Sequence, residues 1–279
     1  MNFRRITIGA DPEVFIVDTT NDKVISSIGI IPGTKGDPYL IPELGKGYGI
    51  EIDNILAEYN IPPARDMDEF SGSIKTMLDY LDNFVKKVNP NYTVKCEASR
   101  VVDDDQLQSD EAKLFGCSVD YNVYSMGPNP KPKGETTNLR SAGFHIHVGY
   151  SNPSIETSLM GVKAMDLFVG VPSVLYDRDD KRRFLYGKAG CFRLTEYGFE
   201  YRVLSSKLQE IPDKVYRNTL TALSYLNIYS SLDLIESSNL NEKVQECINT
   251  GDTVIAKAIM SFTIEHAPEL CSSISTLTF

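Results

Sequence analysis

The chain has 279 residues, of which 38 are acidic and 28 are Lys or Arg, so its formal net charge at pH 7 is −10. This acidic balance argues against a protein whose affinity depends on neutralising many nucleic-acid phosphates. Hydrophobic residues make up 42% and charged residues 24% of the chain, which is typical of a folded globular protein and excludes a collagen-like or largely disordered one.

Two further features of the composition indicate a cytoplasmic protein. The five cysteines form an odd set without a Cys-x-x-Cys pair, which fits reduced thiols better than a disulfide framework or a thiolate zinc site. The most apolar stretch, MDLFVGVPSVLY, contains Asp166 and Pro172, so we expect no membrane-spanning segment. Because no linker or repeat divides the sequence, we expect one domain over residues 1–279.

The first part of the chain is predicted to form short strands. β-rich runs at residues 4–9, 13–18 and 24–31 precede a Gly- and Pro-rich loop at 32–48, which is a candidate lid or binding loop. The extended run at 49–61 follows. Its apolar positions change parity partway along, and this change predicts a β-bulge.

The clearest helix is predicted to begin at Asp66, which can cap it with Glu69 three residues later, and to end before Asn89-Pro90. Its apolar stripe is wide enough to cover one side of a sheet. Four more helices are predicted late in the chain, at 154–169, 213–231, 240–249 and 253–266. Strands early and helices late indicate an α+β fold, with helices on one face of a mainly antiparallel sheet.

Two strands in the middle of the chain carry polar pairs. In SAGFHIHVGY the apolar residues alternate with His145 and His147, so both imidazoles lie on the face opposite the apolar one, roughly 6.5 to 7 Å apart along the strand. In GFEYRVLSS the same alternation places Glu200 and Arg202 together on a polar face. Each pair alone is more often solvated or hydrogen-bonded than functional.

Acidic residues extend this pattern to a candidate metal face. Asp11 and Glu13 lie two apart around Pro12, and the run at 49–61 adds acids of both parities, including Glu58. A sheet face that gathers such acids concentrates negative charge, which divalent cations can compensate. Carboxylates with an occasional imidazole suit Mg²⁺ or Mn²⁺ better than structural zinc. The candidate metal ligands are Asp11, Glu13, Glu58, His145, His147 and Glu200.

A basic segment lies between the two polar strands. The sequence RDDKRRFLYGKAGCFR is either an anion clamp or a solvated charged loop. Neither GxxxxGK[ST] nor a GxGxxG turn is present, so a nucleotide would have to be held without a P-loop. The candidate anion contacts are Arg178, Lys181, Arg182, Arg183, Lys188 and Arg193.

Together these segments resemble a known family. The blocks GADPEVFIVD, PGTKGDP, DNILAEYNIPPA, NLRSAGFHIHVGY, RRFLYGKAGCFR and YGFEYRVLS are similar, in this order, to those of the phage-type and bacterial carboxylate-amine ligases (amidoligases). This family is related to glutamine synthetase and glutamate-cysteine ligase. The resemblance covers roughly residues 9–206, which leaves a helical C-terminal part at about 207–279.

The resemblance implies a glutamine synthetase-like catalytic fold, in which an antiparallel sheet curves around a metal-filled funnel. ATP enters from one end and the carboxylate from the other. Metal ligation is implied for Glu13, Glu58, Glu200 and either His145 or His147. Asp11 replaces the glutamate usual in the superfamily, which leaves direct or water-mediated coordination open. The resemblance matches Glu200 and Arg202 to the family's closing strand and implies phosphate contacts for Arg183 and Arg193. We therefore predict catalytic roles for Arg202, Arg183 and Glu200. The predicted nucleotide contacts are Arg182, Arg183, Lys188 and Arg193.

The implied reaction uses ATP and Mg²⁺ or Mn²⁺ to join a small-molecule or peptide carboxylate to an amine through an acyl phosphate. Two alternatives remain: a metal-dependent hydrolase that needs no ATP, and a catalytically silent binding protein of the same fold. An aminated base of a phage genome stays among the candidate substrates, although the net charge weighs modestly against it. If the chain is phage-encoded, the expected location is the host cytoplasm, and homo-oligomerisation remains open.

Overall fold

The computed structural model of the protein describes residues 3–113, 120–129, 137–179, 181–229 and 233–270. In these ranges the fold is α+β. The strands are β1 Thr7–Asp18, β2 Lys23–Ile25, β3 Gly33–Thr34, β4 Asp37–Leu40, β5 Gly49–Asp53, β6 Leu56–Ala64, β7 Tyr92–Lys95, β8 Ser99–Val101, β9 Tyr121–Asn122, β10 Leu139–Ser141, β11 Phe144–Gly149, β12 Cys191–Thr195 and β13 Gly198–Tyr201. The helices are α1 Met67–Val88, α2 Asp110–Lys113, α3 Ile155–Met165, α4 Val171–Tyr176, α5 Lys181–Leu185, α6 Pro212–Ile228, α7 Asp233–Glu236, α8 Ser238–Thr250 and α9 Thr253–His266.

The large sheet is mainly antiparallel, as the alternating sequence pattern predicts. Its strands follow the order β3-β4-β5-β6-β1-β11-β13-β12-β9, and β2 and β7 pair with the second half of β1. The contact between β3 and β5 is parallel, whereas the neighbours along the main order are antiparallel. Strands β8 and β10 form a separate pair. The long strand β1 therefore lies at the centre of the large sheet.

Strand β1 is longer than the sequence predicts. The predicted strands at 4–9 and 13–18 are one strand of 12 residues that passes through Pro12. Pro12 lies opposite Phe144 at the end of the ladder with β11, where a missing N–H costs least. The predicted strand at 24–31 is reduced to β2, and the predicted loop at 32–48 contains the hairpin of β3 and β4.

The predicted bulge in the run at 49–61 is wrong. The chain turns there, because Asn54 adopts a left-handed conformation with φ of 58° and the run folds back as the hairpin of β5 and β6. Asparagine tolerates this conformation better than most residues. Reversal of the chain explains the change of parity and makes Glu51 and Glu58 cross-strand partners.

The predicted helices are confirmed with small changes of bounds. Asp66 caps α1 by accepting a hydrogen bond from the Glu69 amide, and α1 ends at Val88 before Asn89-Pro90. The helix predicted at 154–169 continues through a π-helical turn at Asp166–Gly170 into α4. This run, Ile155–Tyr176, is long and apolar enough to cross a membrane, but 78% of its most apolar stretch is buried in the protein, so it packs as a core helix.

The core lies on the side of β1 opposite its acids. Ile8, Val14 and Ile16 of β1 are completely buried in one apolar cluster with Phe70 of α1 and Leu226 of α6. The alternate positions of β1 hold Thr7, Gly9, Asp11 and Glu13, followed by Phe15 and Val17, which are buried in a second, smaller apolar cluster. Three free cysteines are inside or near the core, Cys191 and Cys247 being buried and Cys96 partly buried, and Cys117 and Cys271 lie outside the described residues.

A buried carboxyl group behind β13 gives the first testable prediction. Asp166 is completely buried and accepts a hydrogen bond of 2.7 Å from the Tyr201 hydroxyl. Burial raises the pKa of Asp166 to about 7, although hydrogen bonds from Tyr201 and others oppose the shift. Between pH 3.8 and about pH 7, Asp166 is protonated in the folded protein but ionised in the unfolded chain. The free energy of unfolding therefore falls progressively as the pH rises through that window.

Asp166→Asn keeps an acceptor for Tyr201 and removes the titration. When the pH is raised from 4.5 to 7.5, we expect the melting temperature of the wild type to fall by about 5 °C or more beyond any fall shown by the variant. Calorimetry of both proteins across this range measures the difference. Parallel curves for the two proteins would show that Asp166 does not titrate there.

Candidate functional site

The register of the sheet brings the predicted acids and histidines together on one face, which we call the acid face. Asp11 lies opposite His145, and His147 lies opposite Glu200, so β1, β11 and β13 place these residues in adjacent positions. On the other side of β1, Glu13 pairs with Glu58 of β6. The acid face therefore contains all six residues predicted as metal ligands, from four strands.

The first group of convergent ligand atoms on this face is Asp11, His147 and Glu200, whose candidate atoms all lie within 4.8 Å of one another. Asp11 Oδ1 lies 3.0 Å from His147 Nε2 and 3.3 Å from His145 Nδ1. Burial alone raises the pKa of Asp11, but the two imidazoles outweigh it and hold this pKa well below the ordinary value. For His147 the signs are opposite: burial alone lowers the pKa of the imidazole, but the Asp11 carboxylate outweighs burial and raises this pKa above its ordinary value.

His147 is oriented by a residue that the sequence did not single out. Its Nδ1 is hydrogen-bonded to the Tyr197 hydroxyl from the turn between β12 and β13, so Nε2 points toward Asp11. Asp11 Oδ1 and His147 Nε2 are both buried and lie 3.0 Å apart, so each is the close polar partner of the other. A buried carboxylate oxygen and a buried imidazole nitrogen that converge in this way are a donor set expected at a cation site.

The second group of convergent atoms is Glu13, Asp53 and Glu58, which are all buried and also lie within 4.8 Å of one another. Burial, followed by the charge of Asp53, raises the pKa of Glu13, whose Oε2 accepts a 2.6 Å hydrogen bond from the Gly143 amide. Burial and the charges of Asp11, Asp53 and Glu13 raise the pKa of Glu58 well above its ordinary value. Three acidic oxygens this close fit a hard divalent cation.

Asp53 was missing from the predicted ligands because the run at 49–61 was interpreted as a bulged strand. In the actual hairpin Asp53 ends β5, immediately before the turn at Asn54, and Leu56 is its partner at the start of β6. The sequence signal that could have revealed this turn is the Asp53-Asn54 pair itself, since both residue types favour turns.

Glu200 and Arg202 form the centre of a buried ion network. Arg202 Nη1 contacts Glu200 Oε1, and Arg202 Nε lies 2.6 Å from Asp120 Oδ1. Arg193 Nη1 donates to Glu200 Oε2 at 3.0 Å, and its side chain keeps about a third of its surface exposed. Glu200 thus accepts from two guanidiniums while facing His147 across the strands. Asp120 was not predicted, since it lies in no sequence block.

The remaining basic residues are placed differently from an exposed anion clamp. Arg182 and Arg183 belong to the short helix α5 and are buried. Arg182 donates to the main-chain oxygens of Ala142, Val203 and Leu204, which fixes the strands beside the site. Its guanidinium still lines a cleft next to the acid face.

Arg183 faces the C-terminal helices. Its Nη1 donates to the Ile248 carbonyl oxygen at 3.0 Å, and Nη2 lies 3.9 Å from Asp177 Oδ2. Its predicted catalytic and phosphate-binding roles therefore stay predictions that these contacts do not support. Lys188 is half-buried near Arg183, where burial lowers its pKa.

Two openings flank the acid face. One is a groove of about 430 Å³ that is lined by His147 and Tyr197 and also by Gly9, Gly47 and Gly149. The other is a narrow cleft of about 30 Å³, with room for only a few water molecules, lined by three arginines, Arg140, Arg182 and Arg202, and by acids of the second group. The face thus has a wider groove beside His147 and Tyr197 at one end and a narrow cleft lined by three arginines at the other.

Comparison with known proteins identifies one related family. Residues 135–272 match the model of the phage phiEco32-like COOH-NH₂ ligases, type 2. The match confirms the resemblance to carboxylate-amine ligases and includes β11 and β13, with His145, His147, Glu200 and Arg202. It also extends into the helices after residue 206, where the sequence blocks end. No curated protein matches the chain.

Proposed function

We propose, from the premise that residues 135–272 belong to the phage phiEco32-like COOH-NH₂ ligase family, that this protein is an ATP-dependent carboxylate-amine ligase. ATP phosphorylates a substrate carboxylate, and an amine then attacks the carbonyl carbon of the acyl phosphate. The carbon–oxygen bond to the phosphoryl group breaks, and phosphate leaves as the amide forms. The proposal includes a glutamine synthetase-like fold, and the observation that carries it is the convergence of two ligand groups on one sheet face.

The donor set fits Mg²⁺ or Mn²⁺. Asp11, His147 and Glu200 would hold one ion, and Glu13, Asp53 and Glu58 another. A divalent cation bound there would neutralise the crowded carboxylates and polarise phosphoryl oxygens.

The arginines of the network supply orientation and charge. Arg202 is held between Glu200 and Asp120, so its guanidinium is fixed before substrate arrives. Phosphoryl transfer spreads negative charge over the equatorial oxygens, and preorganised forked donors stabilise that charge without reorganisation. Arg193, being partly exposed, is the second candidate contact for phosphoryl oxygens.

The two openings differ in size and lining, and we assign the nucleotide to one and the substrate carboxylate to the other. The groove beside His147 has a volume of about 430 Å³ and is lined by Tyr197, on whose ring the planar base of a nucleotide can stack. The cleft has three guanidiniums and little space, which suits the carboxyl group of a small substrate. ATP and the carboxylate would then meet at the acid face between them.

The direct test is a reaction panel. The protein is incubated with Mg-ATP, a set of amino acids and short peptides as carboxylates, and ammonia or hydroxylamine as the amine. We expect ADP and phosphate to appear only with a productive carboxylate, and the product mass to equal the two substrates minus water. Hydrolysis of a substrate without ATP would favour a metal-dependent hydrolase.

Gly9→Leu tests the nucleotide assignment. A Cβ at residue 9 would lie 3.7 Å from its nearest neighbours, an ordinary contact, so the backbone accepts a side chain that then fills the groove. We expect KM for ATP to rise roughly tenfold or more, with KM for the carboxylate little changed. Gly72→Leu, on α1 where a Cβ meets open space, is the control. A rise in KM for the carboxylate alone would reverse the assignment of the two openings.

A further inference from the structure

Lys35 brings a positive charge to the second ligand group. It lies with Gly36 at the turn between β3 and β4, where Thr34 pairs with Asp37. Lys35 Nζ is 3.1 Å from Asp53 Oδ2. The Asp53 side chain is only 5% exposed, whereas that of Lys35 is 46% exposed. The lysine therefore reaches from the protein surface into a buried carboxylate site.

The hairpin that carries Lys35 is closely fitted to β5. Gly33 has φ of +85°, and a Cβ there would lie 2.4 Å from the Tyr39 amide nitrogen and 2.5 Å from the Ile50 carbonyl oxygen. Only glycine fits this approach. Thr34 pairs with Ile52, one residue before Asp53, so the backbone fixes Lys35 next to the acids.

The positive charge of Lys35 favours the ionised form of several buried carboxyl groups, not of Asp53 alone. Burial raises the pKa of Glu13, Glu51 and Glu58, and Lys35 opposes this shift at each of them. Buried carboxylates this close repel one another unless a cation compensates them. Lys35 supplies one such cation from within the chain.

We propose that Lys35 occupies the site of Glu13, Asp53 and Glu58 as an internal cation and is displaced when a divalent cation binds there. This inference rests on the proposed function, because the divalent cation is the one proposed for the ligase. The half-exposed side chain can leave the site by rotation, without a change in the buried carboxylates. Binding of the metal then competes with an ion pair that the protein already holds.

Titration calorimetry with Mn²⁺ alone tests the inference without any ligase substrate. We expect Lys35→Met to bind Mn²⁺ about 3- to 10-fold more tightly in one class of site, because the competing ion pair is gone. Lys35→Arg keeps the charge and should bind Mn²⁺ like the wild type. Lys46→Met removes an exposed lysine from the same segment and serves as the matched control.

The outcomes separate the inference from the proposed function. Equal or weaker Mn²⁺ binding by Lys35→Met, with binding retained by the wild type, would overturn the role of Lys35 alone. Failure of all the proteins to bind Mn²⁺ would overturn both the role of Lys35 and the metal site of the ligase. Thermal unfolding gives a second readout: Mn²⁺ should raise the melting temperature of Lys35→Met more than that of the wild type, relative to EDTA. An equal rise would contradict displacement.

Discussion

Glu200→Gln is expected to reduce ligase turnover by at least about 10³-fold, the largest effect of any single substitution considered. Glu200 is 1% exposed and belongs to the first ligand group. It also accepts from the guanidiniums of Arg202 and Arg193. Neutralising it removes one charge that would hold a cation and leaves both arginines less compensated.

The fold should survive this change. Glutamine keeps the length of the side chain and can still accept hydrogen bonds, although a buried ion network loses roughly 3 kcal/mol or more when one partner is neutralised. Circular dichroism and a thermal melt would check folding, and steady-state phosphate release would measure turnover. Glu196→Gln, at an exposed position in the turn before β13, is the control. A turnover number within tenfold of the wild type would exclude Glu200 from the reaction.

Arg202→Lys is expected to lower kcat by about 10²- to 10³-fold with little change in KM. The Arg202 guanidinium spans two carboxylates, Glu200 and Asp120, and lines the cleft beside the acid face. Lysine keeps the charge but cannot span both partners, so the group is no longer preorganised toward the transferring phosphoryl.

The kinetic pattern separates two roles of Arg202. If the residue only holds the carboxylate substrate, KM for that substrate should rise and kcat should be nearly kept. Arg217→Lys is a suitable control because Arg217 is exposed on α6 and lies outside the basic segment. Unaltered kcat and KM in Arg202→Lys would reduce Arg202 to a structural partner of Glu200.

The sequence predicted those parts of the site that depend on strand periodicity. Strict alternation around His145 and His147, and around Glu200 and Arg202, determines which face each side chain occupies, and the sheet register then aligns His147 with Glu200. The register itself was not predictable, because pairing between β1 and β11 joins segments more than 130 residues apart.

Other parts of the site depend on contacts that no local pattern reveals. Asp120 and Lys35 reach the acid face from a distant strand end and from a hairpin turn, so neither shares a period with the ligands. The basic segment is a further case. Its charge predicted either an anion clamp or a solvated charged loop. Arg182 and Arg183 are instead buried and donate to main-chain oxygens, a role that sequence composition cannot distinguish from anion binding.

Transfer of ¹⁸O tests the central claim most directly. A carboxylate from the productive pair is labelled with ¹⁸O, and the reaction with ATP and the amine is run in unlabelled water. Formation of an acyl phosphate predicts that one ¹⁸O atom appears in inorganic phosphate for each amide formed, together with ADP. Unlabelled phosphate, or AMP and pyrophosphate in place of ADP and phosphate, would contradict the proposed ligase mechanism.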